Sequence, residues 1–214
     1  MTLVCVELGK QKVFVSALDW PGWARCGRSE ESALQTLAAY LGRYRPVVDL
    51  AGLTLPEEIL DFTIVERLPG DMTTDFGAPG AIATAERQAL APGGRERMTA
   101  LLQASWALLG DVAAGAPQQL RKGPRGGGRD RDAMIDHVLG AEVSYARKIG
   151  VRHRQPALHD AAAIDALRTD VMRALDQDRA DHAPTAWPAR YLARRMAWHV
   201  LDHAWEMQDR SAPG

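Results

Sequence analysis

The chain has 214 residues, 46% of them apolar and 25% charged, with a formal net charge of -1. That composition suits a globular protein with a sizeable core, and the near-zero charge excludes a global field that would draw nucleic acid or anionic lipid. No run approaches the roughly 20 apolar residues that cross a bilayer.

Met1–Glu7 lacks the charged and apolar regions of a signal peptide and reads as a strand, so a cytoplasmic protein is expected. Cys5 and Cys26 form neither a C-x-x-C pair nor a disulfide framework, as expected of two half-buried thiols in a reducing compartment. Thr2–Glu7 and Lys12–Ser16 carry Val and Phe at strand spacing, and Gly9-Lys10-Gln11 can turn between them, which predicts a hairpin. Pro21-Gly22 marks a turn before a short strand over Trp23–Gly27. Ser29 suits a helix N-cap, with Glu30 and Glu31 in the first turn where the helix dipole favours acids. Ala33, Leu34, Leu37, Ala38 and Leu41 supply an apolar stripe of helical period. A fourth strand is expected over Phe62–Leu68. The order β-β-β-α-β gives an α+β domain over residues 1–68, a small sheet with one helix on one face.

Residues 69–93 are dominated by Gly, Pro, Ala and Thr and read as a linker with a short helix near Ala83–Leu90. Residues 94–214 read as all-α. Met98, Leu101, Leu102, Ser105, Leu109 and Val112 keep a 3.6-residue period. Further helices are expected over Arg131–Ile149, Asp160–Leu175 and Pro188–Arg210, Pro being suited to a first helical turn. Four such helices in succession predict a four-helix bundle. Gln118–Arg131 is long, basic and glycine-rich, and reads as a crossover loop; it lacks the G-K-[ST] ending of a phosphate-binding loop.

The last helix carries His199 and His203 four residues apart, on one face, where two imidazoles can share one ion. His137 lies on the inward stripe of the second long helix, between Met134 and Ala141, and can complete a three-histidine metal site. Three neutral imidazoles suit Zn, Ni or Fe better than Mg or Ca. His153, His159 and His182 fall in loops or at helix ends and read as solvated. Asp202 can orient a ligand imidazole as a supporting carboxylate, and it can equally pair with Arg195, one turn before His199. Glu206 and Glu142 are candidate general bases, although Glu142, five residues after His137, faces partly away. Trp198, Leu201 and Trp205 form a second apolar stripe on the same helix, and a helix apolar on two sides must be covered twice, by the first domain or by a second copy.

Ile135-Asp136-His137-Val138-Leu139-Gly140-Ala141-Glu142, with Trp198-His199-Val200-Leu201-Asp202-His203-Ala204-Trp205-Glu206, resembles the DinB-like superfamily over about residues 94–210. The resemblance implies a four-helix bundle holding a divalent ion through His137, His199 and His203. Characterised relatives include S-transferases and isomerases that use low-molecular-weight thiols, and hydrolases. It therefore implies a site and leaves the reaction open. Leu18-Asp19-Trp20-Pro21-Gly22-Trp23 and Gly27-Arg28-Ser29-Glu30-Glu31-Ser32-Ala33-Leu34 resemble the HicB-like antitoxin module over about residues 1–68. That family often neutralises a protein partner and carries a DNA-binding domain, which is not visible here.

The expectation is a metal-dependent thiol S-transferase or hydrolase acting on a small molecule, with Arg121, Arg125 and Arg129 available to bind an anionic thiol cofactor. The alternative is a binding or regulatory module whose HicB-like domain contacts a protein. A homodimer is expected, and nucleic-acid binding is not, because the basic loop is short and has no interleaved aromatics.

Overall fold

The structure is a computed structural model and describes residues 1–90, 93–123, 128–176 and 186–211. Among these residues the chain forms β1 (Thr2–Leu8), β2 (Val13–Ala17), β3 (Ala24–Gly27), α1 (Glu30–Ala39), α2 (Leu41–Leu50), β4 (Phe62–Pro69) and α3 (Met72–Phe76). It continues with a 3-10 turn at Thr84–Arg87, then α4 (Gly94–Gly115), α5 (Arg131–Ala146), α6 (Ala161–Asp176) and α7 (Ala189–Ser211). The chain thus has an N-terminal four-stranded mixed sheet with helices, followed by a helical region.

The sheet has the order β3-β2-β1-β4. β1 runs antiparallel to β2 and parallel to β4, with a bulge opposite Val4 and Cys5 that leaves Val65 as the extra residue. Period-two alternation splits the side chains between two faces. Val4, Val6, Val13, Val15 and Ala17 face Ala33, Leu37, Tyr44 and Val47 of α1 and α2. The opposite face carries Cys5 against Ala83, and Phe14 against Ala78 and Trp198.

Two helices stand where one was expected between β3 and β4. Ser29 caps α1 through the Ser32 amide, and Ser32 Oγ accepts from the Ser29 amide at 2.9 Å, a reciprocal cap. The chain redirects at Tyr40 and restarts as α2, which buries Leu41, Tyr44, Val47 and Val48 despite Pro46 inside it.

Of the expected linker over 69–93, the described residues 69–90 are built into the fold. Asp71 caps α3, and the buried Glu7 carboxylate accepts from the amides of Gly80 and Ala81 at 3.0 and 2.9 Å and from the Thr74 hydroxyl. The short helix expected near Ala83–Leu90 is the 3-10 turn, and Glu86 within it is buried.

α4, α5, α6 and α7 share one core, including Leu102, Leu109, Met134, Val138, Leu167, Val171, Met196 and Val200. α7 also serves the sheet. Leu201 and Trp205 belong to the same apolar cluster as the strands and α2, and Trp198 meets the Phe14 ring edge-on at 6.0 Å. The second stripe of the last helix is therefore covered by the N-terminal sheet. Burying each of these large side chains contributes about 1.5–3 kcal/mol. Gly22, at φ +92°, permits the approach: a Cβ there would lie 2.5 Å from Leu201 Cδ1.

Polar contacts follow the same seam. Arg190 donates to Asp19 at 2.9 Å, Arg25 to Asp202 at 2.7 Å and Arg43 to Asp209 at 3.0 Å. Deepest is Arg194, which gives Nε to Glu86 at 2.6 Å, with both side chains 1% exposed. Among the described residues no helix is long and apolar enough to cross a membrane.

Glu86→Ala leaves the Arg194 guanidinium buried and without its carboxylate. The expected loss is about 3–5 kcal/mol, read as a lower urea midpoint. Adding Arg194→Met in the same chain should restore part of that loss, because two matched apolar groups replace an orphaned charge.

Candidate metal centre

α5 and α7 pack against each other, and their facing stripes bring His137, His199 and His203 together. The four-residue spacing on α7 stacks His199 and His203 one turn apart, with ring centroids 4.6 Å apart. The His137 ring lies 5.0 Å from His199 and 4.9 Å from His203, so the three rings form a nearly equilateral triangle. One nitrogen from each lies within 4.8 Å of the others, and the three can hold a metal ion.

The detail of the set fits an imidazole-preferring divalent ion. His137 Nε2 and His199 Nε2 are 3.3 Å apart. Two nitrogens at about 2.0–2.1 Å from one tetrahedral ion stand about 3.3–3.4 Å apart, so little movement separates this arrangement from a coordinating one. Burial first, then the charges of His203 and Arg195, push the His199 pKa down to about 2, which keeps that ring neutral. Burial, with Arg129 next, also lowers the pKa of His137. Neutral rings offer lone pairs, as ligation requires. His199 Nδ1 is buried with no partner among the described residues, and the ring's polar contact there is made through Nε2.

Glu206, a candidate general base, is engaged by two neighbours. Its Oε2 lies 3.0 Å from His203 Nδ1, and its Oε1 accepts from Arg210 at 2.9 Å. The His203 hydrogen bond, with Arg210 behind it, holds this carboxyl below the usual carboxylate range. A carboxylate on Nδ1 fixes the proton there and leaves Nε2 of His203 free for an ion. The acid in contact with the histidine cluster is thus Glu206 rather than Asp202. The sequence offered both at i+3 spacing, from His203 and from His199 respectively.

The other expected site residues are distributed as follows. Asp202 binds Arg25 of β3, and that guanidinium also lies over the rings of Tyr40 and Trp205 at 4.0 and 4.3 Å; an Arg195–Asp202 pair does not form. Arg195 is buried beside the histidines, over the rings of Tyr145 and Trp198. Glu142 turns away from His137 toward α6, where both oxygens accept from Arg168 at 3.1 Å; burial outweighs that pairing and raises its pKa. Arg121 is spent at the end of α7, donating to the Asp209 carbonyl at 2.9 Å, while its own carbonyl accepts from Arg210 at 2.7 Å. Arg125 lies outside the described residues, as does His182. Arg129 is exposed, close enough for its charge to act on both His137 and His199. His153, expected in solvent, pairs with Asp170 at 2.9 Å. Both cysteines are free thiols; burial pushes Cys5 up to about 11 and raises Cys26, which disfavours their reactive thiolates.

No family model, curated protein or solved structure matches this chain. The geometry of the site therefore carries the functional argument.

Glu206→Gln should weaken zinc binding about 10–100-fold by releasing the His203 ring from its fixed tautomer. Asp202→Asn should leave zinc affinity unchanged and lower thermal stability instead. Competition against a chromogenic chelator, with a melting curve for each variant, separates the two effects.

Proposed function

We propose that the helical region is a DinB-like metal centre in which His137, His199 and His203 hold a divalent ion, Zn, Ni or Fe, and that it acts on a small molecule. The observation that carries this reading is the convergence of three imidazoles from two helices, with one of them fixed by a carboxylate. Three protein ligands on a tetrahedral ion leave one position for a reactant, the arrangement of catalytic rather than structural sites. An ion so held acts as a Lewis acid and makes a water or thiol nucleophile available near neutral pH.

The residues of the chain then divide the remaining work. His199, walled in by Trp198 and Tyr145, keeps the inner side of the site dry. Glu206 and Arg210 orient His203 from the outer side. Arg129 stands at the exposed rim, where it can meet an anionic thiol cofactor; Arg121 is less available for that task. Thiol S-transfer and hydrolysis both fit this arrangement, and the substrate decides between them.

The alternative, a module that contacts a protein through a HicB-like N-terminal part, draws less support. Both faces of the sheet are already covered by the chain's own helices and by the 70–87 segment.

Elemental analysis of the purified protein beside a His199→Ala/His203→Ala variant tests the reading. About one Zn, Ni or Fe per chain is expected in the parent, and none in the variant. Stripping the ion from the parent should also lower its melting temperature, since an ion that binds only the folded state stabilises it. A parent that stays empty after dialysis against each ion defeats the proposal.

A further inference from the structure

α7 buries two adjacent arginines and satisfies only one of them. Arg194 ends on Glu86, on the Ser16 hydroxyl at 3.1 Å and on the Ala81 carbonyl at 2.9 Å. Arg195 is 8% exposed, its Nη1 is buried without a hydrogen-bond partner, and among the described residues no carboxylate pairs with it. Its guanidinium carbon lies 4.6 Å from the Trp198 ring centroid and 5.2 Å from that of Tyr145. Ring faces answer part of the charge but leave the in-plane N–H donors of Nη1 open. A guanidinium stays charged at any ordinary pH, and a buried charge with open donors is strongly unfavourable unless something answers it.

The place where this happens is next to the histidines. Arg195 is one turn before His199 on the same helical face, and the Tyr145 ring that it covers meets His199 edge-on at 5.8 Å. The surroundings are short of negative charge. Imidazoles supply no negative charge, and a bound divalent ion would add positive charge. Arg129 stands nearby with no ion-pair partner among the described residues. The acids whose charge reaches His137 are committed elsewhere: Glu206 to His203 and Arg210, and Asp136 to Gln155 at 2.8 Å.

We propose that Arg195 is an anion subsite beside the three histidines, and that the small molecule handled there carries a carboxylate, which pairs with Arg195 while its other end reaches the histidine-held ion. The guanidinium fork matches the two oxygens of a carboxylate. A single buried cation balances one negative charge, which favours a carboxylate over a phosphate dianion. The second half of the proposal rests on the metal-site reading, whereas the subsite itself does not.

Calorimetric titration with benzoate and with its neutral isostere benzamide, on zinc-loaded and on metal-free protein, tests it. The parent should prefer benzoate by about tenfold or more in both forms, as expected of a charge-assisted hydrogen bond in a buried place. Arg195→Met should abolish that preference while zinc content stays at the parent level, and Arg195→Lys should retain part of it. Equal affinity for the two ligands in the parent overturns the proposal, whether or not the Met variant folds. So does an undiminished preference in Arg195→Met, which would assign benzoate to the ion or to Arg129. If the parent holds no zinc, the three-histidine reading fails by itself, and the metal-free titration still decides the subsite.

Discussion

Every residue from Tyr191 to Leu201 is buried, and the architecture follows from that constraint. A helix with no solvent face over three turns must be enclosed by two bodies at once. On one side α4, α5 and α6 supply the bundle core; on the other the sheet, α2 and the 70–87 segment close over Trp198, Leu201 and Trp205. The histidines belong to the bundle side. Their positions are nonetheless set from the sheet side, because the contacts of Arg25, Arg43 and Glu86 fix how α7 lies. The candidate centre is thus a property of the whole chain, even though its three ligands come from two helices.

The enclosure forces a choice on every polar group that α7 carries inward. Arg194 and Glu86 show how a charge is accommodated when the fold supplies its counterpart: bidentate, nearly water-free, and tied to a backbone carbonyl besides. His199 shows a second solution, neutrality. His203 shows a third, partial exposure with a carboxylate on the far nitrogen. Arg195 meets the rings of Tyr145 and Trp198, and among the described residues its Nη1 has no hydrogen-bond partner, which is the observation behind the proposed anion subsite.

The repetitive elements were legible in the sequence, and the contacts between them were not. Strand-spaced Val and Phe marked the first two strands, and the 3.6-residue stripes marked the four long helices within a few residues of their ends. α2 escaped because Gly42 and Pro46 argue against a helix locally, although Leu41, Tyr44, Val47 and Val48 keep an inward stripe; packing under the sheet overrode local propensity. The 69–93 segment reads as a linker because its order comes from two buried acids, Glu7 and Glu86, that nothing nearby in sequence announces. The histidine triangle was readable from helical phase alone. Which acid supports it was not, since Asp202 and Glu206 sit at equivalent spacings and only Arg25, on a distant strand, draws Asp202 away.

The seam between sheet and α7 also sets an order of events. Ser16 meets Arg194 across 178 positions of sequence, and Arg25 meets Asp202 across 177. During synthesis the sheet is made before α7, and the apolar patch that Trp198, Leu201 and Trp205 cover stays open until α7 follows. Contacts of such long range form slowly, and the waiting intermediate exposes apolar surface. A nascent chain of this kind has reason to meet a chaperone before its histidine cluster is assembled.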